Sequence, residues 1–148
     1  MKLIFTKGSG KYDTMRVVRP NCIDESIECP KQRIIPHDMM HFAVESSLRQ
    51  RGFLSRVRVG ESAGFAMQAE AESDSVERLV EVFQGDEWSG GGSSVAEMIA
   101  MYQVTCDARE CPSISIDEEI IRTIRACIAS LDAQWQGTPV GQSLELEF

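Results

Sequence analysis

A chain of 148 residues with 43% apolar content, 11 glycines and 5 prolines is long enough to close one hydrophobic core and too apolar to remain disordered. Its formal charge of −8 opposes long-range attraction to nucleic acid, because every phosphate contact then needs a local cation. No apolar run approaches the length of a membrane span, "MKLIFTKGSGK" has too short an apolar stretch for a signal peptide, and five cysteines, an odd number, make no evident disulfide framework. The expectation is one compact domain, residues 1–148, cytoplasmic, with reduced thiols and with neither membrane nor nucleic acid as partner.

In chain order, "KLIFTK" (2–7) and "DTMRVVRP" (13–20) read as strands joined through the glycines of "GSGKY", and "IDESIEC" (23–29) offers a third strand. Pro36 suits the first turn of a helix that runs through Leu48 and stops at Gly52. "FLSRVRV" (53–59) alternates, placing Val57 and Val59 on one face and Arg56 and Arg58 on the other, which predicts a fourth, edge strand. The second half is more helical. Val76, Leu79, Val80 and Phe83 keep helical spacing up to Gly85, and "SGGGSS" (89–94) is a flexible connection. Ser94 and Glu97 then stand at capping-box spacing for a helix through about Tyr102. In "SIDEEIIRTIRACIASLDAQWQG", seven apolar residues from Ile120 to Trp135 fall within about 120° of arc; Ser115 with Glu118 would cap this helix and Gly137 would end it. "SLELEF" (143–148) alternates again and returns to the sheet. The fold class expected is α+β: an antiparallel sheet made of the N-terminal hairpin and the C-terminal strand, packed against three or four helices.

Charge is unevenly divided, with 11 Lys+Arg against 6 Asp+Glu in residues 1–60 and 4 against 17 thereafter. The one dense basic stretch, Arg49, Arg51, Arg56 and Arg58, is expected to pair with the acidic second half, the sharper alternative being an anion or RNA contact.

Three short motifs carry weak chemical signals. "GESAG" (60–64) has the spacing of a nucleophile elbow with Ser62 as nucleophile and resembles the elbow of α/β-hydrolase esterases over five residues, but no histidine follows residue 41, so a strand-to-loop turn is expected. "GSGK" (8–11) lacks the first glycine and the hydroxyl residue of a phosphate-binding loop. Cys106 and Cys111 are spaced too widely for a zinc knuckle and no second knuckle follows.

The segment "PHDMMHFAVE" (36–45) carries more. It holds both histidines of the chain, His37 and His41, four apart, each with a carboxylate near it, Asp38 and Glu45. On a helix both imidazoles can address one ion, as do those of the H-E-x-x-H zinc proteases. Asp38 is one methylene shorter than the glutamate of that motif, which puts protease chemistry in doubt. Glu45 lies about 12 Å along the axis from His37, so a third ligand must come from Asp38, a cysteine or the second half of the chain. The competing reading is structural: two histidines at a core edge, bonded to Asp38, Glu45 or backbone, that orient the helix.

"CPKQRIIPHDMMHFAVE", with "RGF" and "ERLVEVFQ", resembles a set of small bacterial proteins of uncharacterised activity that share a P-H-D-x-x-H segment after an N-terminal hairpin. The resemblance covers about the first 60 residues and the stretch near residue 80, and implies a bacterial, cytoplasmic, single-domain protein. It brings no ligand or catalytic residue. Two functions therefore stay open. One is a binding or interaction protein without catalysis, with Arg56 and Arg58 or the acidic half as its surface and a protein partner or self-association in view. The alternative is a divalent-metal protein, zinc being one candidate ion, centred on His37 and His41, with Asp38 or Glu45 as catalytic base if it is a hydrolase.

Overall fold

The computed structural model describes residues 1–48, 50–64 and 70–148. Strands β1 (Lys2–Thr6), β2 (Tyr12–Val18), β3 (Glu25–Pro30) and β4 (Ser143–Glu147) form one antiparallel sheet in the order β3-β2-β1-β4. Helices α1 (His37–Leu48), α2 (Phe53–Arg58), α3 (Ala71–Trp88), α4 (Val95–Ala108) and α5 (Glu118–Gly137) complete the α+β fold. Period-2 alternation fixes the register: Leu144, Phe5, Met15 and Ile27 lie in one cross-strand row, with Leu146, Leu3 and Val17 in the next. Both rows face inward, and Leu3, Phe5, Met15 and Val17 are wholly buried.

Helix α1 sits at the centre, packed on α5, α3 and α2. Met39, Met40, Ala43 and Val44 are buried on it, and so are His41 and Glu45. Helix α5 lays Ile121, Ile124, Ile128, Leu131 and Trp135 inward, each burial being worth roughly 1.5–3 kcal/mol. Its N-cap is Asp117, whose Oδ1 accepts from the Ile120 N–H at 2.9 Å, rather than Ser115. Ser94 and Glu97 form the expected capping box, and α4 continues beyond Tyr102 to Ala108.

The segment 53–59 departs from its alternating pattern and forms α2. The cause is remote in sequence: the buried Glu45 carboxylate caps this helix, accepting the Leu54 and Ser55 N–H groups at 2.9 Å each and the Ser55 hydroxyl at 2.9 Å. Gly52 permits that approach, since a Cβ there would lie 2.5 Å from Glu45 Cδ. Leu54 and Val57 consequently point into the core while Val59 is 66% exposed. Helix α2 thus stands where an edge strand was expected, and it brings the helices among the described residues to five, against the three or four expected.

The basic stretch is largely neutralised inside the molecule. Arg56 is buried and bonds Glu61, with Glu70 also within reach, and Arg51 pairs with both acids. Arg58 stacks over the Phe148 ring at 4.9 Å, and Arg49 lies outside the described residues. Trp88 is the last residue of α3 and 59% exposed, its indole N–H donating to the Gln32 carbonyl at 3.1 Å. No helix among the described residues is long and apolar enough to cross a membrane.

Candidate metal centre

Four elements place the site. Helix α1 begins just after Pro36, so His37 and His41 occupy its first two turns on one face. Helix α3 passes beside it and contributes Glu77 and, seven residues on and therefore on the same face, Gln84. Strand β3 and the start of α2 wall the opening, with Ile27 and Pro30 on one side and Phe53 on the other. The imidazole of His41 packs against the Phe53 ring, centroids 5.3 Å apart.

His37 Nε2 and His41 Nε2 are 3.2 Å apart. The Glu77 carboxylate closes the group, Oε1 at 3.4 Å from His37 Nε2 and Oε2 at 3.0 Å from His41 Nε2. Among the described residues, these three form the one set of histidine, cysteine or acidic side chains able to bring three ligand atoms within 4.8 Å of one another. Two donors held at about 2.0–2.1 Å by one tetrahedral ion stand roughly 3.3 Å apart, close to the separations found here.

The far side of each ring fixes which nitrogen is free. His41 Nδ1 lies 3.2 Å from Glu45 Oε1, a carboxylate that can only accept, so Nδ1 carries the proton. For His37 the assignment runs through a chain of amides. The Ile35 carbonyl can only accept, so the Gln32 group bonded to it at 2.8 Å is its NH2. Gln32 Oε1 then receives the Gln84 NH2 at 2.7 Å, which turns Gln84 Oε1 toward His37 Nδ1 at 2.5 Å. His37 Nδ1 must donate. With Nδ1 committed on both rings, Nε2 is the nitrogen that each imidazole turns to the same point, where Glu77 adds a carboxylate; this is the outer-shell arrangement that orients histidine ligands of metals.

Three electron-pair donors facing one another repel unless a cation lies among them. In the metal-free protein that cation is a proton. Burial pushes His41 toward the neutral form, but bonds and charge from Glu45 and Glu77 outweigh it and raise the pKa to about 10. His37 is raised as well, burial being overcome mainly by Glu77, while the two histidines hold Glu77 well below the usual carboxylate range against its own desolvation. His41 is buried, whereas the side chains of His37 and Glu77 are about one third exposed, so the group opens on one side only. It opens into a cleft of about 610 Å³ lined by Ile27, Pro30, Phe53, Ala63, Gln32 and Asp38 among others.

The sequence candidates separate into distinct roles. His37 and His41 come together as donors. Glu45, a candidate base, is committed behind His41: its oxygens are taken up by the α2 cap and by His41 Nδ1, leaving no free face toward the cleft. Asp38 borders the cleft but lies outside the donor group, and it accepts the Cys29 thiol at 3.2 Å. Burial, then Asp38, push that thiol strongly up, so Cys29 stays protonated and is no ligand. Ser62, the elbow candidate, follows a helix and donates to Glu25 Oε2 at 2.7 Å, with no histidine beside it. Glu77, Gln84 and Gln32 were not singled out by sequence; the one signal was the seven-residue spacing of Glu77 and Gln84 beside the apolar stripe of α3.

Comparison of the chain with protein-family models, with curated proteins and with solved structures finds no match.

Proposed function

We propose that this protein binds a divalent transition-metal ion through His37 Nε2, His41 Nε2 and the Glu77 carboxylate, and that the bound ion acts on a small molecule in the adjoining cleft. The observation that carries this reading is the convergence of three lone-pair donors, the Glu77 carboxylate and two imidazoles whose Nδ1 groups are committed on the side away from the shared point. Two histidines and one glutamate leave coordination positions free, as catalytic zinc sites and mononuclear iron sites do. The open side faces the cleft, so those positions are where water or a substrate carbonyl would be polarised.

Each residue has a definable task under this proposal. Glu45 and Gln84 hold the two imidazoles in the ligating tautomer. Phe53 and Ile27 limit water around the donors. Asp38, on the cleft wall, is the one of the two candidate bases still positioned to exchange a proton with a bound molecule. The test is elemental analysis of untagged protein purified without chelator, beside His37→Ala and Glu77→Gln. About one equivalent of zinc, iron, manganese, nickel or cobalt, lost in both variants while their circular dichroism is unchanged, is expected. Full-length folded protein that takes up no such ion on reconstitution would overturn the proposal.

A further inference from the structure

The cleft beside the metal group has a definite electrostatic character. Glu28, Asp38 and Glu77 line it, and Glu45 lies directly behind His41. No lysine or arginine is among the described residues that line it. Arg19 is engaged with Glu25 and the carbonyls of Val57 and Glu61, Arg51 and Arg56 with Glu61 and Glu70, and Lys31 with Asp13 and the Gly8 carbonyl. A divalent ion held by two neutral imidazoles would therefore sit among four carboxylates, and the site as a whole would remain negative. Enzymes that take phosphate or carboxylate substrates instead supply arginine or lysine to the non-reacting oxygens.

The remaining wall is apolar. Ile27, Pro30, Phe53 and Ala63 form most of it, and about 610 Å³ lies within the range of small-molecule sites. Gln32 and Gln84 add amide groups whose hydrogen-bonding capacity is partly used within the protein.

Building on the metal reading above, we propose that the molecule acted on is an uncharged or cationic small organic compound with an apolar body, such as an amide or an amine, and not a phosphate ester or a carboxylate. The metal would bind its neutral oxygen or, for an amine, the nitrogen after its ammonium proton is released to solvent, the apolar wall would cover its body, and the acidic lining would repel anions that would otherwise ligate the ion more strongly.

The test uses four probes with one aromatic body: benzamide, benzylamine, benzoate and phenyl phosphate. Each is titrated into the cobalt(II)-loaded full chain, with the visible cobalt bands and amide chemical shifts of cleft residues as readouts. Benzamide or benzylamine is expected to half-saturate at a concentration at least tenfold below either anion, and Asp38→Asn to narrow that ratio severalfold. Equal or tighter binding of benzoate or phenyl phosphate overturns the inference, as does a cobalt-loaded protein that responds to none of the four, and in both cases the metal reading stands. Failure to load cobalt at all removes the metal reading and this inference with it.

Discussion

Helix α3 carries two buried or half-buried carboxylates with opposite fates. Near its far end Asp86 is fully partnered: Oδ2 accepts Arg125 at 2.7 Å and Oδ1 the Ser93 N–H at 3.0 Å. Near its start Glu77 faces two imidazole nitrogens and an open cleft. The first cluster contains a permanent cation and is complete. The second contains only acceptors and titratable rings, so its cation must come from outside as a proton or a metal. Burial and charge are similar in kind at the two places; what separates the closed cluster from one that could take an ion is whether the cationic partner is covalently part of the chain.

Glu45→Ala breaks this comparison most severely. It uncaps α2, leaves the buried Leu54 N–H and the half-buried Ser55 N–H without acceptors and frees the far side of His41, so a loss of about 3–5 kcal/mol is expected in urea denaturation. Glu77→Gln comes next and acts mainly on the other property: ion affinity in a chelator competition should fall at least 100-fold, about 2.7 kcal/mol, while the urea midpoint of the metal-free protein should fall by less than in Glu45→Ala, since the Glu77 charge also pairs with the two imidazoles. A parallel loss of folding would make Glu77 as structural as Asp86.

Asp86→Asn should cost about 2 kcal/mol at neutral pH, with no effect on ion uptake. Burial alone would raise the Asp86 pKa, but the bonds from Ser93 and Arg125 outweigh it and the folded value is depressed. A depressed acid stabilises above its unfolded pKa and loses that contribution as pH falls through its folded pKa. The gap between wild type and variant should therefore be constant at neutral pH and close below about pH 4; a pH series of urea midpoints measures it. Smallest is Gln84→Leu, which removes the acceptor from His37 Nδ1: ion affinity should drop about tenfold, the usual cost of an outer-shell partner, with kon largely retained.

What was legible in the sequence followed from short-range periodicity. Alternation placed β1, β2 and β4 and their inward rows, the 3.6-residue period placed α5, and Ser94 with Glu97 announced a cap that needs no distant partner. The histidine pair was legible for the same reason, being one helical turn apart. Segment 53–59 was misread because its conformation is decided by Glu45, eight residues before its first position and reachable only once α1 is buried. Glu77 escaped notice because acids on a helix flank are ordinary, and only the packing of α3 beside α1 makes this one a donor. The difference between Asp38 and Glu45 as bases was likewise set by tertiary contacts, since one carboxylate is consumed by capping.

The amide chain that sets the His37 tautomer ends at an optical label. Gln32, whose side chain holds Gln84, also accepts the exposed Trp88 indole through its own carbonyl, so the ring is tied to the residue that orients the His37 imidazole. Any ion that draws on His37 tightens this line of bonds from the other side. Indole emission responds to such changes in polarity and hydrogen bonding, and the chain's other tryptophan, Trp135, is buried in α5 with Lys7 over its ring. If the proposed ion binds, Trp88 would serve as an intrinsic fluorescent gauge of its occupancy, readable without a tag or a substrate, and Trp88→Phe would identify its share of the signal.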